Sequence, residues 1–261
     1  MSDKREKKQW QRLCRVMISG TLMLLVSGCS TVIKPSPRGG VTDAGEPFTV
    51  SQVSNTQLQT SLTTVASDNS AAGKVLSSRV HDAVSGKMAE AGYVLSGSGP
   101  DVSVRVDTEA RLFDKSGNFI RYNGRADAEI VRLFDKKLIG RNSFAAEGPR
   151  TLGETEAVEA LSTTLSPLVT DWVAETLTPS AVGLTAVTME VKRPWIRSDD
   201  ATYVSKFVGI VSNLDGVVSC IHLPGDTSGR TYLFRIVYFP EKIPEGIKVR
   251  LVNVAELNLK Q

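Results

Sequence analysis

Four acidic residues on two neighbouring segments have types and spacing that could support acid–base chemistry. Asp107 and Glu109 alternate with apolar residues in one segment, and Asp127 and Glu129 do so in the next. A glycoside hydrolase needs two such carboxylates at a defined separation inside a cleft. Mixed charge on the polar side of an alternating pattern instead favours cross-strand ion pairs in water. The arginines interleaved with these acids are Arg105, Arg111, Arg121, Arg125 and Arg132.

Histidine and the glycine-rich motifs offer little further chemistry. His81 and His222 have no cysteine or acidic neighbours at the spacing of a zinc site. A Ser-His-Asp arrangement assembled in space stays open, although the G-x-S-x-G pattern of a nucleophile elbow is absent. The P-loop and the dinucleotide-binding fingerprint are absent as well. The sequence therefore predicts a protein that is not an enzyme and that carries no metal or other cofactor.

The cysteine with the most informative neighbours is Cys29. It follows Ser27 and Gly28, at the end of an uncharged and largely apolar run over residues 16–26. The preceding residues 1–15 are basic, and together the two regions match the n-region and h-region of a signal peptide. The run is too short to cross a bilayer, which needs about 20 apolar residues. An ordinary cleaved signal peptide, or a buried helix that ends in cysteine, is the plain alternative.

The stretch LLVSGCS at residues 24–30 resembles the lipobox of bacterial lipoproteins. In that family the cysteine is acylated and the chain is cut just before it. The resemblance implies cleavage after Gly28, a palmitate-type lipid on Cys29 and anchoring to a membrane. Ser30, rather than Asp, follows the cysteine, which implies the outer membrane of a two-membrane bacterium, with the body facing the periplasm. In a single-membrane source the anchor would lie in the cell membrane.

Charge and cysteine content narrow the partners. The chain has 31 Lys and Arg residues against 28 Asp and Glu, a net charge of +3. Residues 1–28 hold six basic and two acidic residues, so the remainder has 25 against 26, a net charge of −1. Because the remainder has no basic run, we expect no nucleic-acid binding. Cys14 lies in the signal peptide, and Cys220 sits in an apolar segment, where a buried small side chain is favoured over a reactive thiol.

The chain beyond the signal peptide divides into three parts. Residues 29–46 are rich in Pro and Gly and predict a flexible tether. Residues 47–179 predict an α+β domain, in which an antiparallel sheet is packed by helices. Residues 180–261 predict a smaller α+β module. The boundary falls where one apolar stripe ends and a new alternating pattern begins.

Periodicity predicts the elements of the first domain. A short strand at residues 47–50 precedes a Ser/Thr-rich stretch that we leave unassigned and a helix over residues 71–91. Three alternating strands follow, through residues 102–112, 120–130 and 138–146. Capping-box spacing at residues 151–154 opens a helix to about residue 177, with Leu168 and Trp172 on its apolar stripe. Pro167 either kinks this helix or begins a new one.

The second module has its own pattern. The predicted order is a strand at residues 185–191, a helix at 201–213, and strands at 217–223, 231–239 and 247–254. The layout of residues 47–178 looks like the periplasmic domain of curli-secretion lipoproteins and the amino-terminal domain of the Tol-Pal β-propeller protein. The second module looks like compact α+β modules of envelope secretion and flagellar-assembly proteins. No site residue is carried over from either resemblance.

These observations predict a non-catalytic envelope lipoprotein that serves assembly, secretion or wall attachment, with another envelope protein as partner. A cell-wall hydrolase or glycan-binding lipoprotein is the alternative. The polar sheet face with Arg105, Arg121 and Arg125 is a candidate docking surface. Trp195, in the segment RPWIR at residues 193–197, is a second candidate, or else it packs over the core of the small module.

Overall fold

The computed structural model describes residues 49–97, 99–192, 200–224 and 231–258, and the fold is α+β as predicted. The strands in these ranges are β1 Thr49–Thr56, β2 Gln59–Ala66, β3 Val94–Leu95, β4 Val102–Ser116, β5 Phe119–Arg132, β6 Lys137–Glu147, β7 Thr151–Leu152, β8 Thr185–Lys192, β9 Val217–Leu223 and β10 Thr231–Tyr238. The helices there are α1 Ala71–Glu90, α2 Glu154–Thr176, α3 Pro179–Val182, α4 Asp200–Ser212 and α5 Ile247–Asn258. Among the helices of these ranges, we find none with the length and apolar character needed to cross a membrane.

The first sheet has six strands, in the order β3-β2-β4-β5-β6 with β7 beside β5. β2 runs parallel to β3 and β4, whereas the other pairs are antiparallel. The predicted β4–β5–β6 meander is confirmed. The alternating apolar residues of β4 up to Ala110 and those of β5 form the buried face, whereas Leu112 and Leu138 are 54% and 53% exposed. α1 and α2 pack on that face and leave the other one uncovered. The fully buried residues in this layer include Val104, Val106, Ala126, Ile130, Leu76, Val80, Leu161 and Leu165.

The helix predicted at residues 71–91 is confirmed as α1, and its start is capped as the sequence favours. The Ser70 hydroxyl accepts a hydrogen bond from the Gly73 amide at 2.8 Å. Gly92 follows the helix with a φ of 85°, a conformation that glycine adopts without strain.

The start of the second long helix differs from the capping-box prediction. Thr151–Leu152 forms β7 against Phe119 and Ile120, so the Thr151 side chain is not a helix cap. The N-cap is Gly153, which has a φ of 92° and, as a glycine, has no side chain to cap the helix. α2 then runs through Pro167 as one element, which excludes a new helix at that residue. Leu168, predicted to face inward, is 45% exposed.

The second sheet has four antiparallel strands, in the order β1-β8-β10-β9. Its core includes Met189, Phe207, Phe234 and Ile236, with the rings of Phe207 and Phe234 4.2 Å apart. β1 pairs with β8, although the sequence layout grouped the first strand with the meander. The strand at residues 59–66, for which the sequence pattern predicts no element, joins the first sheet instead. The domain boundary at residue 179 stays a prediction.

The last predicted strand is wrong, because residues 247–254 lie in helix α5. Ile247, Val249 and Leu251 alternate with Lys248 and Arg250, which suggested a strand. In the structure Ile247 and Leu251 are only 2% and 0% exposed, whereas Val249 is 47% exposed. Burial at a spacing of four residues is the helical pattern.

Two buried arginines, one in each sheet, bond to residues outside their own strands. Arg235 in β10 bonds to the Asp101 carboxylate just before β4, and the two side chains are 5% and 7% exposed. Arg132, predicted on the polar face, instead lies on the core face at the end of β5. Its guanidinium donates to the Val182 carbonyl at 2.6 Å and to the Asp135 carboxylate at 2.6 Å. We call this region, formed by Asp101, Arg132, Asp135 and Arg235, the sheet joint.

Candidate functional site

Three of the predicted site residues lie outside the described residues. These are the lipidation residue Cys29, the cleavage residue Gly28 and the docking candidate Trp195. Their roles remain predictions.

The other docking candidates lie on the face of the first sheet that α1 and α2 leave uncovered. Odd-numbered residues of β4 and β5 point to this side, because the even-numbered ones fill the core. β6 adds residues in register, with Arg141 opposite Glu129 and Ser143 opposite Asp127. The residues that we call the charged face are Arg105, Asp107, Glu109, Arg111, Arg125, Asp127, Glu129, Arg141 and Ser143.

Ion pairs on the charged face run mainly along the strands, whereas we predicted cross-strand pairs. Arg105 and Asp107 approach to 3.1 Å, and Arg125 and Asp127 approach to 3.0 Å. Asp107 stands directly opposite Asp127 and so meets no cation there, although Arg105 faces Glu129 and Arg125 faces Glu109. Asp107 and Asp127 each pair instead with the arginine two positions earlier on their own strand, on the same face.

The third strand supplies the cross-strand contacts that the sequence did not show. Arg141 lies 4.0 Å from Glu129, and the Ser143 hydroxyl donates to the Asp127 carboxylate. The alternation of residues 138–146 could have placed both side chains on this face. Their partners depend on the β5–β6 register, which no local pattern contains.

The Asp127 carboxylate is held in its ionised form. The hydrogen bond from Ser143 lowers the pKa of Asp127, and Arg125 and Arg141 lower it further against the opposing effect of burial. A catalytic general acid needs a pKa raised towards neutrality. The environment of Asp127 therefore fits an ion-pairing role better than acid catalysis.

Arg121 shares the side of the sheet but not the cluster. It lies four residues from Arg125 along β5, a separation of about 13 Å at strand spacing. Its guanidinium bonds to the Glu147 carboxylate and to the Gly148 carbonyl, the latter at 3.1 Å. It also lies 5.1 Å from the centre of the Phe113 ring. The structure thus brings together Arg105 and Arg125 and leaves Arg121 apart.

The histidines and the remaining cysteine have simple surroundings. His81 Nδ1 lies 3.2 Å from the Thr64 hydroxyl, and the His222 ring lies 5.7 Å from that of Tyr232. Across the described ranges, no three His, Cys, Asp or Glu residues are grouped as metal ligands. Cys220 is buried, and burial raises its pKa to about 12. The thiol is therefore protonated at neutral pH, as expected for a small buried side chain.

No protein-family model matches the chain, and no curated protein is similar to it in sequence. Several solved bacterial structures are similar over about half of it. Protein XCC0632 from Xanthomonas campestris, of family DUF330, is 15% identical with a TM-score of 0.33, covering 46% of this chain and 84% of that one. A minor lipoprotein from Acinetobacter baumannii is 12% identical with a TM-score of 0.28, covering 48% and 91%. Lipoprotein GNA1162 from Neisseria meningitidis is 12% identical with a TM-score of 0.30, covering 46% and 99%.

Proposed function

We propose that this protein is a non-catalytic lipoprotein of the bacterial envelope, anchored through an acylated Cys29 and acting through protein contacts. The observation that supports a role through protein contacts is the charged face. A sheet covered by helices on one side exposes ionised side chains on the other, and Asp127 is held as a carboxylate. The anchor follows from the lipobox at residues 24–30.

The composition of the charged face fits a protein partner. Its four arginines balance its four acidic residues, so it attracts neither a polyanion nor a polycation as a whole. The side chains of Arg105, Arg125 and Arg141 are 60%, 59% and 70% exposed and are free to meet a partner's carboxylates. Complementary charges of both signs give orientation and specificity more than raw affinity. The charged face is thus suited to a partner whose surface alternates in charge.

The anchor and the tether set where this contact takes place. Residues 29–46 could extend by up to ~3.3 Å per residue, so the body could work well away from the bilayer. Ser30 after the cysteine supports the outer membrane, facing the periplasm, if the source has two membranes.

Palmitate labelling with membrane fractionation tests the anchor. The wild-type chain is expected to be labelled and to sediment with outer membranes. Cys29→Ala is expected to lose the label, and Ser30→Asp to shift the protein towards the inner membrane. Cys14→Ser and Cys220→Ser are matched controls that should keep the label. An unlabelled wild-type protein in the soluble fraction would contradict the lipoprotein assignment.

Charge reversal with crosslinking in cells tests the docking role. A double variant, Arg105→Glu with Arg125→Glu, is expected to lose a crosslinked neighbour that the wild type retains. Arg79→Glu is the matched control, because Arg79 forms an exposed pair with Glu159 on the helical side of the sheet. Retention of every crosslink by the double variant would exclude this face. Peptidoglycan degradation that is lost in Asp127→Asn would favour the hydrolase alternative.

A further inference from the structure

One edge of the first sheet is left unpaired over most of its length. β4 pairs with β2 along residues 60–66, whereas β3 pairs with β2 only at Gln59 and Thr60. On that outer side, no strand in the described ranges pairs with residues 61–66. We call these residues, on the side away from β4, the open edge.

The hydrogen-bond pattern shows which backbone groups face outward. The Ser67 amide donates to the Thr108 carbonyl of β4 at 2.8 Å, so odd-numbered positions face inward. The Ser96 amide donates to the Thr60 carbonyl at 2.9 Å, so even-numbered positions face outward. Along a strand these directions alternate. The residues that present an amide and a carbonyl to the open edge are therefore Leu62, Thr64 and Ala66.

Helix α1 forms a second wall beside this edge. Lys74, Ser77, Ser78 and His81 recur at positions i, i+3, i+4 and i+7 and line a groove of about 610 Å³ with residues 62–66. Because the side chains of Ser77 and Ser78 are short, an added chain can approach the strand. The contact between Thr64 and His81, at 3.2 Å, fixes the helix against the strand at the floor of the groove.

The open edge lacks the usual protection against strand addition. Exposed edges are commonly blocked by charged side chains, Pro or bulges. β2 contains no charged residue and no Pro, and its pairing with β4 is regular. β6, at the opposite edge of the sheet, carries Lys137, Arg141 and Glu147. The two edges therefore differ in the way expected if only β2 accepts another strand.

We propose that the open edge and the α1 groove bind an extended segment of a partner protein, which adds to the sheet next to β2. Main-chain hydrogen bonds supply affinity in this mode, and side chains in the groove supply specificity. Lys74 is exposed and its ammonium forms no ion pair with the described residues, so the segment carries an acidic residue near it. Asp68, the nearest acid in sequence, already accepts from the Ser70 amide and hydroxyl.

Charge also favours this partner over a second copy of the chain. Another copy could offer its own β2, β1 or β9, none of which contains an acidic residue, or β6, in which Lys137 and Arg141 outnumber the one acid, Glu147. A partner with an acidic strand suits the groove better. The site is distinct from the charged face, so it goes beyond the docking role proposed above and can fail independently of it.

The test uses the full chain, purified in detergent, and defined peptides. The probe is a fluorescent peptide of about eight alternating Thr and Val residues, the length of an ordinary strand, with one Asp. One comparison peptide carries Lys in place of Asp, and another is methylated at alternate backbone nitrogens. Binding is followed by fluorescence anisotropy and by hydrogen exchange of the Leu62, Thr64 and Ala66 amides. The Asp peptide is expected to bind and to slow exchange at these amides, and the methylated one is expected to do neither.

Two substitutions at Thr64 separate the backbone from the side chain. Thr64→Pro removes an outward amide that β4 does not use, a change that edge strands tolerate. It is expected to weaken binding about tenfold or more, since a main-chain hydrogen bond is lost and the ring fills the edge. Thr64→Val keeps the amide and removes only the hydroxyl contact with His81, so it is expected to retain more binding than Thr64→Pro. Lys74→Glu is expected to reverse the preference between the Asp and Lys peptides.

Several outcomes would overturn the proposal. Failure of every peptide to bind would exclude strand addition at this edge, as would equal binding of the methylated peptide. Should Thr64→Pro fail to melt cooperatively, the methylated peptide tests the same hydrogen bonds from the partner's side. Protection of the three amides that rises with protein concentration and needs no peptide would indicate pairing between copies instead.

Discussion

Arginine–aspartate pairs occur in this molecule in two opposite environments. On the charged face, the side chains of Arg105 and Asp107 are 60% and 32% exposed. In the sheet joint, those of Arg235 and Asp101 are 5% and 7% exposed. An exposed pair contributes ~0–1 kcal/mol, because water and salt screen the attraction. Removing one partner of a buried pair costs ~3–5 kcal/mol, because the other charge is left without solvent or counterion.

This difference in exposure indicates that the buried and the exposed ion pairs have different roles. Asp101 precedes β4 and also accepts a hydrogen bond from the Gln59 amide of β2 at 2.8 Å, so a change at Asp101 affects two strands of the first sheet. Arg235 comes from the middle of β10 in the other sheet. The buried pair therefore fixes how the sheets meet. The exposed arginines lose little when they exchange an intramolecular carboxylate for a partner's, which suits a docking surface.

Arg235→Met gives the largest expected effect. The free energy of unfolding is expected to fall by ~3–5 kcal/mol, because Asp101 stays buried without its cation. Chemical denaturation measures this change. The double variant that adds Asp101→Leu should recover part of the loss, since no buried charge remains. A single-variant loss as small as that of an exposed pair would remove the contrast between the two regions.

Arg132→Met is expected to have an intermediate effect. Its side chain is only 8% exposed, but its partner Asp135 is 32% exposed and can be solvated when left alone. Loss of the charged hydrogen bonds is expected to cost ~1.5–3 kcal/mol in denaturation experiments. Arg132→Lys is the matched control and should recover only part, because an ammonium cannot bond in the forked way of a guanidinium. Full recovery would show that charge alone matters here.

Arg105→Gln is expected to have a small effect on stability. The free energy of unfolding should change by ~0–1 kcal/mol, and the change should shrink further as salt is added. Arg235→Met in the same salt series is the comparison, since its buried pair is screened much less. If the loss of stability in Arg105→Gln did not depend on salt, the charged face would be less accessible to water and ions than the exposure of its side chains indicates.

The parts of the fold with strong local periodicity were predictable. The alternation of β4 and β5 and the four-residue repeat of α1 each agree with the structure. β2 is not predictable from local pattern, because this Ser/Thr-rich segment has few apolar residues. It becomes a strand through parallel pairing with β4, in which each paired residue lies 42 positions later in the chain, as in Thr60 with Val102. α5 was assigned wrongly because residues 247–251 fit period two, and only packing shows that Val249 is exposed.

The charged face was predictable as a set of residues but not as a set of contacts. Period-two alternation placed Arg105 and Arg125 correctly on the uncovered side. The alternation also puts Arg132 on the core face with Ile130, but its charge favoured the polar face in the prediction. Its buried guanidinium is bonded to the Val182 carbonyl and to Asp135. The ion pairs follow from strand register, which is a property of three strands together.

The smallest expected effect is the pH dependence of the Asp127 contribution. Its pKa is lower in the folded chain than in the unfolded chain, chiefly because of the Ser143 hydrogen bond. The folded state therefore binds fewer protons, so the contribution is present above the unfolded pKa of about 3.9 and is lost as pH falls through the folded value. Ser143→Ala should reduce stability at neutral pH and approach the wild type in acid, in denaturation series at several pH values. Ser85→Ala, a serine on the outer side of α1, is the matched control and should change stability equally at every pH. A Ser143→Ala deficit that persists unchanged below the folded pKa would show that the hydroxyl does not act through the carboxylate.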